Sequence, residues 1–182
     1  MPLPVAHGLV GATLKTSLSK SDQPFSLRAI GLSVMLAICP DFDYALNFLR
    51  IGRGGWHHGF THSIVFALAV GLVCWLILRD RRPGALFILC AIVASHSLLD
   101  YLFTESRGVS LFWPITDHRY KLNWFNPINY SWRTSSMLAA ATDLLKLCIF
   151  ELLIYGPFLI LALSIKKRVW STFLEFHHKH LE

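Results

Sequence analysis

The stretch PGALFILCAIVASHSLLDYLF, residues 83–103, decides how this chain folds. It is apolar enough, and long enough, to cross a bilayer, for which about 20 residues suffice. Yet it carries His96 and Asp100 near its C-terminal end. Residues at i and i+4 share one helix face, so both side chains reach one point. Ionisable groups at membrane depth are costly and mark functional sites by default. Imidazole and carboxylate are also the donors that hold zinc or manganese.

Four further apolar segments flank this one, at 3–18, 27–39, 64–78 and 144–165. Segment 64–78 ends at Arg79-Asp80-Arg81-Arg82 and 83–103 follows at once, which predicts a helical hairpin. Pro40 stops the second segment, and Glu151 with Gly156-Pro157 interrupts the last. Several runs fall short of a full span, which predicts helices that end below the membrane surface and leave a recessed polar chamber; 3–18 and 27–39 have the alternative of lying in the interface. Loops are expected chiefly at 47–61 and 104–136. The reading is one domain over 1–182: an all-α, polytopic membrane helical bundle of four to five segments with a metal site at one end.

Composition agrees. Of the 182 residues 54% are hydrophobic and 15% charged, against about 25% charged in soluble domains, and the mean hydropathy is +0.48. The net charge of +6 comes from short clusters, Arg79 to Arg82 and Lys166-Lys167-Arg168, each ending an apolar run. That placement fits flanks of membrane spans, and no nucleic-acid partner is expected. The four cysteines, Cys39, Cys74, Cys90 and Cys148, have no CxxC spacing and read as free thiols. The N-terminus lacks the basic start and small-residue cleavage site of a cleavable signal peptide.

The positive-inside rule orients the bundle. With Arg79 to Arg82 in the cytoplasm, Lys15, Lys20, Arg28 and Lys166 to Arg168 fall inside as well, although Arg50, Arg53, Arg107, Arg119, Lys121 and Arg133 fall outside. His7, Asp41, Asp43, His57, His62, His96 and Asp100 then all collect at the outer end. An inverted bundle would still bring them together.

Each group has a plain alternative. Asp41 and Asp43 face one site if the backbone there is extended; otherwise they are solvated acids that punctuate a helix. His57, His58 and His62 surround Gly59, with Thr61 or Ser63 available to cap the next helix; otherwise they anchor a span in the interface. His96 and Asp100 form a ligand pair, or a ligand and its orienting carboxylate, or simply a buried hydrogen bond. Lys146 and Glu151, five residues apart, snorkel or pair. Trp113, Trp124, Tyr130 and Trp132 suit an interfacial aromatic belt. His177, His178 and His180 form a tail outside the site.

In this order, His7-Gly8, Pro40-Asp41-Phe42-Asp43, residues 57–63, His96-Ser97-Leu98-Leu99-Asp100 and Leu111-Phe112-Trp113-Pro114-Ile115 resemble the YdjM-like family of membrane-bound metal-dependent hydrolases. The resemblance covers about residues 5–120. Residues 57–63 are similar to the family's His-Arg-Gly-x-Thr-His-Ser, with His58 in place of the Arg, so either a phosphate held there is held less strongly and with pH dependence, or His58 adds an eighth ligand. A distant likeness to zinc-dependent phospholipase C implies phosphoester hydrolysis with two or three zinc ions, manganese being the alternative metal. Expected metal ligands are His7, Asp41, Asp43, His57, His62, His96 and Asp100. Asp41, Asp43, His62 and Asp100 are the catalytic candidates, and His58, Arg107 and Arg119 the substrate-binding ones. The expected setting is a bacterial inner membrane with a lipid or membrane-proximal phosphoester as substrate. Two rivals remain: a metal or proton transporter with ligands spread across the membrane, and a scaffold with a closed structural metal site.

Overall fold

The computed structural model describes residues 2–19, 26–44, 49, 57–78, 82–104, 107–124 and 136–179, the last without the side chains of 170 and 172–179. Lys20, Arg50, Arg53, Arg79 to Arg81, Tyr130, Trp132, Arg133 and the side chains of the histidine tail therefore lie outside the described residues. The described residues form five α-helices: α1 Pro4–Leu18, α2 Leu27–Ile38, α3 Ile64–Leu78, α4 Pro83–Phe103 and α5 Met137–Lys179. Single 3-10 turns occupy Cys39–Phe42 and Phe60–His62, and among the described residues extended pairing is limited to one antiparallel bridge, Val109 with Tyr120.

Local chemistry sets these boundaries. Ser26 caps α2 by accepting from the Ala29 N–H at 3.3 Å, and Ser63 accepts from Phe66 N–H at 3.1 Å at the start of α3. Pro4 and Pro83 sit in first turns, where a missing N–H costs nothing. Pro40 converts the end of α2 into the 3-10 turn that carries Asp41. Asp41 and Asp43 are therefore not on the extended backbone expected from the sequence; a tight turn, with Asp43 at φ −62°, brings them to one site instead.

α1 packs against α2, α4 and α5, while α3 and α4 form the expected hairpin. Leu36, Ala37, Ala67, Ile88, Leu89, Ile92 and Val93 make the apolar centre between α2, α3 and α4. Gly71 lets the hairpin helices touch, since a Cβ there would lie 2.9 Å from the Cys90 backbone nitrogen. All four cysteines are free.

Helix α5 departs most from the sequence reading. It is one helix of 43 residues that runs on through Pro157, not an apolar run broken at 156–157. Lys146 pairs with Asp143 at 3.2 Å on the exposed face. Glu151 turns inward and accepts from Leu3 N–H at 2.6 Å and Ala6 N–H at 3.0 Å. Farther along, Lys166 donates to the Thr16 carbonyl at 3.1 Å and the Ser19 carbonyl at 2.6 Å. α5 thus holds both ends of α1, acid at the positive end of the helix dipole and base at the negative end. α4 and the 33-residue stretch Met137–Val169 are long and apolar enough to cross a membrane.

Candidate metal centre

Four elements meet at one end of the bundle. α1 contributes His7 from its first turn, and the turn after α2 contributes Asp41 and Asp43. The turn before α3 supplies His57, His58 and His62, and the last turns of α4 supply His96 and Asp100. His7, Asp43, His58, His62, His96 and Asp100 are buried.

At the centre stand His62 Nε2, His96 Nε2, Asp41 Oδ1 and Asp100 Oδ2. His96 lies 3.1 Å from His62, 3.3 Å from Asp41 and 3.4 Å from Asp100. His62 lies 3.3 Å from Asp100 and 3.7 Å from Asp41. A tetrahedral ion with bonds of about 2.0–2.1 Å separates its donors by about 3.3–3.4 Å. Five of the six edges of this tetrahedron therefore already have close to the length that a bound zinc requires.

The surrounding hydrogen bonds fix which nitrogens face inward. His96 Nδ1–H donates to the Ala37 carbonyl at 2.7 Å, leaving Nε2 for the centre. Thr61 donates its hydroxyl hydrogen to Asp43 Oδ2 at 2.7 Å, and its oxygen lies 3.0 Å from His62 Nδ1. That oxygen accepts from Nδ1–H, which again turns Nε2 inward. Such outer hydrogen bonds orient metal ligands. Thr61, expected only as a helix cap, is therefore part of the centre, and its place beside His62 was the available signal. Thr61→Val is expected to lower the affinity for a metal ion held there about 10- to 100-fold while leaving the fold intact; a chelator-competition titration checks it.

Beyond these four stand more donors than one ion needs. His57 Nδ1 lies 3.0 Å from Asp43 Oδ1 and 3.9 Å from Asp41 Oδ1, so Asp41, Asp43 and His57 form a group that shares Asp41 with the central four. His57, His58 and His62 make a third. His7 stacks on His96 with ring centroids 3.8 Å apart, and its Nε2 lies 3.7 Å from Asp100 Oδ1. Both ring nitrogens of His7, both oxygens of Asp100, Asp41 Oδ1 and His57 Nε2 are buried without a well-formed hydrogen bond. Buried polar atoms in such a state carry a penalty that a cation removes. The donor set is one that can hold metal.

The electrostatics point the same way. Burial alone would raise the Asp41 carboxyl, but the His62 and His96 rings beside it outweigh this and hold it well below the usual carboxylate range. Burial disfavours a charged His62 ring, yet the nearby carboxylates of Asp100 and Asp41 more than offset this and raise it. Two carboxylates thus demand a positive charge between them. Burial pushes His58 down to about 4, against the pull of Asp100 at 3.5 Å. His58 also sits at φ 62°, a left-handed conformation uncommon for a non-glycine residue.

Residues 107–124 fold back over this end. Ser110 N–H donates to the His58 carbonyl at 3.0 Å and Leu111 accepts from Ile64 N–H at 3.0 Å. Gly108, at φ 83°, makes the turn. Arg119 reaches the site, donating to the His57 carbonyl at 3.3 Å, whereas Arg107 is exposed. Trp113 and Trp124 are exposed at the same end.

Comparison with known proteins extends these observations. Inner membrane protein YbcI of Escherichia coli (strain K12) is 36% identical over 131 residues, spanning 68% of this chain and 74% of the relative. No solved structure gives a significant match. The profile of the YdjM inner membrane protein family matches residues 1–173, well past the limit near residue 120 of the motif resemblance, so α5 belongs to the family unit as well. With its apolar helices and buried His/Asp cluster, this chain is a member of the YdjM inner membrane protein family and an integral inner membrane protein.

Proposed function

We propose that the protein is a membrane-bound metal-dependent hydrolase that cleaves a phosphoester of a lipid or membrane-proximal substrate. The observation that carries this reading is the near-tetrahedral set of His62, His96, Asp41 and Asp100, with further buried donors left over beside it. The central four would hold one zinc ion, and Asp43 and His57 a second, with Asp41 shared between them. His7, His58 and the free side of Asp100 leave room for a third; manganese suits the same oxygen and nitrogen donors.

Divalent ions of this kind supply Lewis acidity and make water nucleophilic near neutral pH. The chain's own residues do the rest. Asp41 or Asp43, the latter linked to His57 and Thr61, would accept the proton of an attacking water. Arg119, tethered to the His57 carbonyl, brings a cation to the rim, where it can pair with phosphate oxygens; Arg107 on the same loop adds an exposed positive charge. His58 adds a neutral imidazole at the inner wall. Burial of the centre excludes bulk water and strengthens each of these interactions.

A transport pathway needs ligands through the membrane, and the described His/Asp groups gather at one end; Lys146 and Asp143 are exposed on α5. A structural zinc site needs four donors, fewer than are gathered here. Lys15, Arg82 and Lys166 to Arg168 mark the opposite end of the bundle, which supports a cytoplasmic placement for that end and an extracytoplasmic one for the centre.

Elemental mass spectrometry of the detergent-purified chain tests the reading. The expected result is two or more zinc ions per wild-type chain, fewer in Asp41→Ala and His96→Ala, and zinc-dependent hydrolysis in a phospholipid and phosphodiester panel. A wild type that stays metal-free after chelator-free purification with added zinc overturns it.

A further inference from the structure

The first turn of α1 has an unusual deficit. Leu3 provides no side-chain cap, Pro4 has no N–H, and the turn contains no acidic residue. Its free donors include Leu3 and Ala6 N–H, and both are taken by Glu151, a residue 148 and 145 positions away in sequence. Glu151 is itself 97% shielded, with a relative exposure of 3%. His7 follows Ala6 directly and is fully buried against His96 and Asp100. Its own N–H makes a long 3.4 Å bond to the Leu3 carbonyl, and the side-chain hydrogen bonds to this turn's backbone come from α5.

We propose that Glu151 is a positioning residue for the metal centre: its carboxylate acts as the missing N-cap of α1 and thereby sets His7 against Asp100 and His96. This rests on the metal-centre reading above. It gives α5, which contributes no donor to the cluster, a defined part in the site. Lys166 serves as an internal comparison. It bonds the opposite end of α1, at Thr16 and Ser19, with similar hydrogen bonds but far from His7.

The test measures zinc affinity by chelator competition, together with thermal unfolding, for the full-length chain in detergent. Glu151→Gln keeps one accepting oxygen and loses the other with the charge. It is expected to weaken zinc binding about 10-fold or more, the range seen when an orienting partner is removed. Lys166→Ala is expected to lower the melting temperature while leaving zinc affinity unchanged. In a His7→Ala background Glu151→Gln should have no further effect on zinc, whereas in a His57→Ala background its effect should persist. Should Glu151→Gln fold poorly, Glu151→Asp, which keeps both oxygens on a shorter arm, gives the same reading at smaller amplitude. Wild-type zinc affinity in Glu151→Gln, or equal zinc loss in Lys166→Ala, overturns the positioning role and leaves the metal centre standing. A wild type that binds no zinc overturns both.

Discussion

Asp100→Asn is expected to lose zinc almost completely, with affinity down by more than about 100-fold, beyond the usual effect of losing an outer orienting group. Asp100 reaches four histidines of the cluster. Its Oδ2 lies 3.3 Å from His62, 3.4 Å from His96 and 3.5 Å from His58, and its Oδ1 lies 3.7 Å from His7. An amide at this position keeps the volume but removes the charge, and its NH2 group turns a donor toward imidazole nitrogens already aimed inward. The readout is thermal unfolding with and without zinc. A ligand at 1,000 times its dissociation constant stabilises the fold by about 4 kcal/mol, and that increment should vanish in the variant, together with any zinc-dependent hydrolysis. An unchanged zinc-induced shift would remove Asp100 from the ligand set.

Gly71→Leu is expected to produce the largest loss of stability, about 3 kcal/mol or more, at the upper range for overpacking. A Cβ at this position would stand 2.9 Å from the Cys90 nitrogen and 3.0 Å from its Cα, and backbone atoms cannot rotate away. The hairpin would have to open, moving the helix that carries His96 and Asp100, so zinc affinity should fall along with the melting temperature. Gly84→Ala is the companion control. Nothing lies within 4 Å of its added Cβ, and replacing a helical glycine should stabilise by about 0.5–1 kcal/mol. Unfolding of Gly71→Leu at the wild-type temperature would contradict the close approach of α3 and α4.

Helices α3 and α4 were legible residue for residue, because uninterrupted apolar runs bounded by serine, arginine and proline leave little choice. The gathering of His7, Asp41, Asp43, His57, His62, His96 and Asp100 was legible as well, since alternating helix directions bring helix ends together whatever the details. What escaped the sequence reading depends on contacts between distant residues. Glu151 looks like a stray acid or a partner for Lys146 until α1 is seen to lack a cap. Thr61 looks like a cap until its hydroxyl is seen between Asp43 and His62. The length of α5 was underestimated because Asp143 and the Lys166 to Arg168 cluster bound the run 144–165, while the helix continues past both. Pro157 does not break that helix. In a membrane helix neighbouring groups absorb the backbone bond that proline removes.

The clamping of α1 between Glu151 and Lys166 also sets a dimension. With a rise of about 1.5 Å per residue, α1 is about 22 Å long and α2 about 18 Å, whereas a hydrocarbon core is about 30 Å thick. α5 continues for fourteen residues upstream of Glu151, about 20 Å past the start of α1. A bilayer beside such unequal helices accommodates the short ones by thinning around them. On the α1–α2 flank such thinning would draw the headgroups down toward the buried histidines, the depth at which the proposed lipid phosphoester has to be presented.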